Sequence, residues 1–498
     1  MRTLYIEELY KLGLNYIAQK QTQQALSCFR AINLAAPDFA PAWHQRALAL
    51  SKPNGFRFAL FPIRKALQLL PNDAGVLRTA ITIAIELKHF TEALTWLMQL
   101  EELNPDESWV ELQRVEVYRC LNDYNLAELA LEYAQAKGVA DEDVELVKLG
   151  ILRDQGLVDC LMPRLEKLIY QKPDFAEAKF FLAEQQLSRH NYKDGWSNYE
   201  ARLYLEELRI LRKYIWPLWQ GEDLKNCGIL IYAEQGIGDV LMFASCLDDL
   251  FRLASSVVFV AYGRLISLFQ FSYPKLKVIS FDEITLSSKE ANQINYSLPI
   301  GSLPSFFRNA INDFPGHNGY LIAADELLNH WQDKLQGSDK LKVGIAWQGG
   351  LIRTGQISRS LQPEQLEPLF KLPNIQFINI QHGQTRKDLK FLAEKYAWPV
   401  TTFALDTKNI SELAGLVSAL DLVITPCCTL VHLAGALGKP VWVMTPKIAS
   451  WRYGNEGESM PCYPSARLFR QTEAGSWGDV IERIREQLVE LTKIKGNL

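Results

Sequence analysis

The chain has little of what marks several common classes of protein. Its eight cysteines, at 28, 120, 160, 227, 246, 427, 428 and 462, form no CxxC pair and no metal-ligand spacing with histidine. A thiol redox motif and a zinc site are therefore not written here, and reduced, mostly buried thiols of a cytoplasmic protein are expected. No run of 18 apolar residues is present to suggest a membrane span. The opening stretch MRTLYIEELYKLG carries acidic residues and a helical apolar rhythm, without the continuous apolar core of a signal peptide. With 53 Lys and Arg against 57 Asp and Glu, the net charge of -4 gives no overall basic excess to argue for nucleic acid. No Asp-x-Asp triplet lies beyond the first half, and no GxGxxG opens a strand-to-helix turn. One motif for a divalent ion and the dinucleotide fingerprint are thus both missing.

What is present begins with repetition. A length of 498 residues exceeds one core, so two to four domains are expected. Pro37, Pro71, Pro105 and Pro173 fall on a 34-residue lattice with Val139 at the missing node. Ala25, Ala59, Ala93 and Ala127 sit twelve residues before those nodes, and Leu161 takes the fifth place. A small residue where two helices cross and a proline in the closing turn, at this period, is the tetratricopeptide pattern. The first unit shows it most fully in Leu9, Leu12, Gly13, Tyr16, Ala25, Phe29 and Pro37. A sixth unit begins near Phe175, with Gly195 in the alanine place and Tyr199 in the aromatic one. About six repeats over 1–206 predict an α-solenoid with a concave groove for an extended peptide or another protein, or else a support for the second half.

Residues 207–226, with Pro217 and Gly221, break the helical rhythm and read as a linker. After it the pattern changes to short β-branched runs, each leading into a turn and a helical or polar stretch, which predicts α/β architecture. GILIYAEQ runs into Gly236-Ile237-Gly238-Asp239 and a helix, and LKVGIAWQGG runs into a polar loop holding Arg353, Arg359 and Ser360. DLVIT leads through PCC into a helix that Thr429 can cap and Gly438 can close. The free N–H groups of such a helix favour an anion, so a diphosphate is placed there. Arg359, with Arg353 as alternate, suits phosphate through paired N–H donors. Gln381 and His382 end a strand at the face where nucleotides bind, and are candidates for base or ribose contact.

The segment HLAGALGKPVW, followed by Trp451-Arg452-Tyr453, resembles the donor-binding motif of heptosyltransferase-like glycosyltransferases, and AEQGIGDVLMFA resembles their N-terminal loop. In particular, the chain is similar to bacterial proteins in which such a domain follows tetratricopeptide repeats. The resemblance implies a GT-B fold, with two Rossmann-like α/β domains at 227–335 (acceptor) and 340–498 (nucleotide-sugar donor). It also implies metal-independent glycosyl transfer from a nucleotide-diphosphate sugar, as co-substrate rather than cofactor, to a hydroxyl. By analogy with O-GlcNAc transferase-like and flagellin-modifying enzymes, the acceptor is a protein held by the repeats; a saccharide or lipopolysaccharide acceptor, or a scaffold with an inactive transferase domain, is the alternative.

Asp239 matches the family's base, and alternatively complements the dipole of its own helix. Glu234 is the reserve base, and Gln235, Gly236 and Gly238 complete the acceptor loop. Gly349, Arg359, Ser360, Gln381, His382, Cys428, Thr429, His432, Trp451 and Arg452 form the expected donor side. The arginine between two aromatics either covers the diphosphate or stacks as a surface cluster. The family carries an acidic residue and a threonine before the histidine, where this chain has Cys427 and Cys428. A thiol does not supply a carboxylate's charged hydrogen bonds, so the phosphate part of the site survives better than the sugar part. The C-terminal amphipathic helix is expected to pack back across the two halves.

Overall fold

A computed structural model describes residues 2–51, 55–205, 208, 210, 214–281, 286–350, 358–382, 389–390, 393–394, 400–403 and 409–496. Arg353 lies outside these residues. The described chain divides into two compact units, one over Met1–Arg164 and the other from Leu165 onward. Among the described residues no helix is long and apolar enough to cross a membrane.

The first region is a tetratricopeptide-like helical solenoid. Its hairpins are α1 (Arg2–Ala18) with α2 (Thr22–Ala35), α3 (Ala40–Leu50) with α4 (Phe56–Leu69), α5 (Ala74–Glu86) with α6 (Phe90–Leu103), and α7 (Ser108–Cys120) with α8 (Tyr124–Ala136). The helices α9 (Asp141–Asp154) and α10 (Val158–Gln171) follow. The lattice residues Ala25, Ala59, Ala93, Ala127 and Leu161 are all fully buried, as close helix crossings require. A Cβ on Gly13 would lie 2.6 Å from the Phe29 ring, so hydrogen is the only side chain that leaves this ring in place. At the lattice node without proline, Gly138 at φ 93° ends α8, and the Val139 N–H returns to the Ala134 carbonyl at 3.2 Å. Glycine supplies the stop that proline supplies elsewhere.

The period of 34 carries the solenoid to 206, but the compact units separate inside α10. The sixth hairpin, α11 (Ala176–Ser188) with α12 (Tyr192–Tyr199), belongs to the second unit. It keeps the repeat's tight crossing, since a Cβ on Gly195 would sit 2.7 Å from Leu187. Its aromatic face is different, and Tyr192, Trp196 and Tyr199 enter one apolar core with the α/β elements. The 207–226 segment is likewise more than a tether where it is described: Trp219 and Leu224 are buried, and the Trp219 N–H donates to the Ser297 carbonyl at 3.0 Å.

The rest of the second unit is built on two parallel sheets. One contains β1 (Gly228–Tyr232), β2 (Ser256–Ala261), β3 (Lys277–Ser280) and β4 (Ile294–Pro299) in the order β3-β2-β1-β4. The other contains β5 (Leu341–Ile345), β6 (Ile375–Asn379), β7 (Val400–Thr402), β8 (Leu422–Pro426), β9 (Val441–Thr445) and β10 (Ala466–Arg470), in the order β10-β9-β8-β5-β6-β7. β1 and β8 are buried along their whole length, the signature of parallel strands covered on both faces. Two helices lead out of these strands toward the site, α13 (Ile237–Phe243) after β1 and α14 (Thr429–Ala436) after β8. The last helix, α15 (Gly478–Gly496), does not bridge the sheets: Val480, Ile481, Ile484 and Leu488 bury against β5, β6 and Trp477 in a core confined to the second sheet.

Candidate functional site

The first turns of α13 and α14 meet. A Cβ on Gly238 would stand 2.9 Å from the His432 ring and 3.5 Å from Thr429 Cα, so glycine is what lets the two helix starts approach. Asp239 follows at this junction with both oxygens engaged. Oδ2 accepts the Gly236 N–H at 3.1 Å and so caps its own helix. Oδ1 accepts Arg452 Nε at 2.6 Å and pairs with Nη2 at 2.5 Å. Each carboxylate oxygen has two lone pairs, so capacity for a further hydrogen bond remains.

Arg452 lies on a 3₁₀ turn, Trp451–Tyr453, with its guanidinium carbon 4.4 Å from the Trp451 ring centre. Burial works against its charge, but Asp239 together with Tyr199 and Glu184 more than offsets this, so its pKa is raised. Trp451 departs from its expected place at the donor. It is buried edge-on between Trp196 and Tyr199, each at 5.5 Å, as part of the core that seats the sixth hairpin. Gln235 takes a left-handed backbone at φ 55°, held by its side-chain amide on the Tyr199 hydroxyl at 2.8 Å and by the Tyr262 hydroxyl on its carbonyl at 2.7 Å. A strained non-glycine residue held from two sides, next to charged groups, is a common feature of ligand sites.

Glu234 is not a reserve base. Its carboxylate is buried, receives Arg202 through Nη2 at 2.7 Å and Nε at 3.1 Å, and accepts the Gly301 N–H at 2.8 Å. Arg202 also binds Glu200 at 2.7 Å and Ser302 Oγ at 2.9 Å. This is an internal clamp tying the end of the sixth repeat to β1 and to the turn after β4.

On the other side of the junction, Thr429 is the first residue of α14 and not its cap; Cys428 holds the cap position without a side-chain hydrogen bond to the helix. Gly438 closes the helix at φ 68°, as expected. Gly349 fits under the Cys427 carbonyl, which a Cβ would approach to 2.9 Å, and the Arg359 stem packs 3.5 Å from the same point. Ser360 Oγ accepts the Gly349 N–H at 3.1 Å. Burial pushes the Cys427 thiol up to about 12 and raises Cys428 as well, so both are neutral at physiological pH. Gln381 spends its amide on the 347–348 backbone, accepting from Trp347 N at 2.9 Å and Gln348 N at 2.7 Å, and so fastens the loop instead of facing a base. His382 is exposed beside it.

His432 is buried between the hydroxyls of Tyr463, 3.3 Å from Nδ1, and Tyr453, 3.4 Å from Nε2. Burial is the main reason its pKa falls to about 4; Asp239 opposes this, while Arg452 and Arg359 add to it. Because the folded value lies below the unfolded value of about 6.5, the unfolded chain takes up this proton first. Stability from this group is complete above that value and drains as the pH falls toward 4. Between pH 7 and pH 4.5 the loss amounts to about 2–3 kcal/mol. Urea titrations at these two pH values, following hydrogen exchange of α14, should show a smaller pH effect in His432→Gln than in the native chain. Equal pH effects would contradict the assignment.

The structure thus gathers Asp239, Gly236, Gly238, Gln235, Thr429, His432 and Arg452 at one junction, with Cys428, Gly349, Arg359 and Ser360 around the adjoining loop. It removes Glu234, Trp451 and Gln381 to structural roles. Arg202 and Tyr463 carry no local sequence signal, and the patterns that hold Tyr199 and Tyr453 do not point to their places at the junction. Gly435 is the exception that hints at one of them, since a Cβ there would lie 2.3 Å from the Tyr463 ring.

The class so defined is a tetratricopeptide-like solenoid followed in the chain by a parallel-sheet α/β unit. No family model matches the sequence. Over 96% of this chain and 77% of the relative, it is 25% identical to protein FlbA of Caulobacter vibrioides. Among solved structures, a tetratricopeptide repeat protein from Parabacteroides merdae aligns with 40% of this chain and 78% of its own, at 16% identity and a TM-score of 0.36. YrrB, described as a TPR protein with an unusual peptide-binding site, aligns with 36% of this chain and 95% of its own, at 16% identity and 0.31. A thermophilic TPR protein of Thermus thermophilus covers 36% of this chain and 97% of its own, at 20% identity and 0.28.

Proposed function

We propose that the α/β unit is a GT-B-type glycosyltransferase whose sugar donor is a nucleoside diphosphate sugar and whose acceptor hydroxyl belongs to a protein held by the solenoid. The observation that carries this reading is the meeting of a carboxylate, Asp239, and a cation, Arg452, at the amino end of α14. The strand order of the second sheet, outward in both directions from β5 and β8, is that of doubly wound sheets, which bind nucleotides at the carboxyl ends of their strands.

In this reading the helix start at Cys428 and the Arg359 and Arg452 guanidinium groups neutralise the diphosphate. Asp239 accepts the proton of the acceptor hydroxyl as its oxygen bonds to the sugar's anomeric carbon. The bond from that carbon to the diphosphate breaks, and the diphosphate leaves with the electron pair. Incubating the full chain with a panel of nucleotide sugars and candidate protein acceptors, and weighing the acceptors by mass spectrometry, tests it. A mass increase of one glycosyl unit is expected with one donor.

A second reading has its own support: a neutral, buried thiol at Cys427 stands where the resembling family carries an acid, and Cys428 stands where it carries a threonine. A scaffold with a degenerate transferase site would keep partner binding by the solenoid and give no transfer with any donor.

A further inference from the structure

The first two hairpins differ from the rest of the chain in charge. Between Lys11 and Lys65 there are eight lysines and arginines and a single carboxylate, Asp38, although the chain as a whole carries -4. Part of this charge converges on a depression of about 520 Å³ lined by Arg30, Arg46, Arg57, Leu26, Phe58 and Phe61. Phe58 and Phe61 are each 58% exposed, an unusual cost for rings one turn apart on one helix. Phe61 is braced edge-on against Trp43 at 5.7 Å, and Arg46 lies 5.8 Å from the same indole. Burial and the nearby charge of Arg30 both lower the pKa of Arg46, so the guanidinium groups sit close enough to repel. Among the described residues no carboxylate pairs with Arg30 or Arg46. The lining comes mainly from α2 and α4, the second helices of their hairpins, with Arg46 and Leu50 added from the end of α3 between them.

We propose that this second-helix face is a docking site for an acidic segment of a protein partner that carries an apolar side chain between its carboxylates. The phenylalanines and Leu26 take the apolar group, and the arginines take the flanking charges through paired N–H donors. A nucleic acid fits less well, because following a phosphate backbone needs a continued row of cations. The next arginine along α4, Arg64, is already paired with Glu92 at 2.7 Å. The inference rests on the reading of the solenoid as a partner-binding element, and not on the chemistry proposed for the α/β unit.

The test is fluorescence anisotropy on the full chain, with a labelled peptide in which glutamates flank one leucine and one phenylalanine. A lysine-for-glutamate version and a labelled oligouridylate serve as competitors of other chemistry. Binding of the acidic peptide should weaken at least tenfold in the Arg30→Glu, Arg46→Glu pair and in the Phe58→Ala, Phe61→Ala pair. It should stay within twofold in Thr82→Glu, which changes the exposed first-helix face of α5. Circular dichroism of each variant should match the native chain, since the altered groups are largely at the surface. Loss in Thr82→Glu alone would overturn this surface while leaving the solenoid a partner-binding element. No binding of the acidic peptide, or preference for the lysine peptide or oligouridylate, would overturn the acidic partner.

Discussion

Arg202→Ala should cost the α/β unit about 3–5 kcal/mol, the usual loss when one member of a buried ion pair is removed. The guanidinium is fully buried, makes two bonds to Glu234, and adds Glu200 and Ser302. Its carbon also lies 4.6 Å from the Tyr199 ring centre. Alanine would leave the buried Glu234 carboxyl with only the Gly301 N–H at 2.8 Å and the Gln235 amide at 3.4 Å, while opening a cavity beneath Tyr199. Hydrogen exchange of β1 should accelerate by two orders of magnitude or more, since about 1.4 kcal/mol corresponds to each factor of ten. Arg202→Met combined with Glu234→Gln should recover much of the protection, because it removes both charges together. Unchanged exchange in Arg202→Ala would show that the clamp does not hold the sixth hairpin to the sheet.

Asp239→Asn should lower transfer by about 10²–10⁴-fold, the range expected when a general base is lost. The amide keeps an oxygen for the Gly236 N–H but cannot take the acceptor's proton, and it weakens the hold on Arg452. Affinity for the nucleoside diphosphate should therefore stay within threefold or improve, since Arg452 becomes more available. Rates and dissociation constants measured on the same preparation separate the two effects. A variant with native rates would assign Asp239 to helix capping alone, and one that loses diphosphate binding would make it structural.

How far the sequence could be read depended on whether the signal was local. The alanine lattice was legible because each repeat needs the same small residue at the same crossing, and Ala25, Ala59, Ala93 and Ala127 are all fully buried. GILIY and LVIT were legible as strands because β-branched runs bounded by turns have few other uses in a covered sheet, though the second runs one residue further, to Pro426. The division between the compact units was not legible, because the sixth hairpin keeps the repeat's spacing and differs only in which aromatics face outward. Trp196 and Tyr199 reveal their role only beside Trp451, more than two hundred residues away. The Arg202–Glu234 clamp was hidden because it spans the linker, 32 residues between partners in different elements, and so Glu234 looked like an acid free to act. Trp451 was misplaced for a related reason, since an aromatic-basic triplet looks the same in sequence whether it roofs a ligand or anchors a helix. Asp239, Arg452, Thr429 and Gly238 were singled out from short motifs, and the fold brings them together because each sits at or beside the start of a short helix or turn following a parallel strand.

Calorimetric titration of the full chain with ADP, GDP, CDP and UDP tests most directly whether the amino end of α14 is an anion site. One of these nucleotides should bind, and its affinity should fall at least tenfold in Arg359→Ala and in Arg452→Ala. Failure of all four to bind at millimolar concentration, or binding that neither arginine variant weakens, would contradict the account.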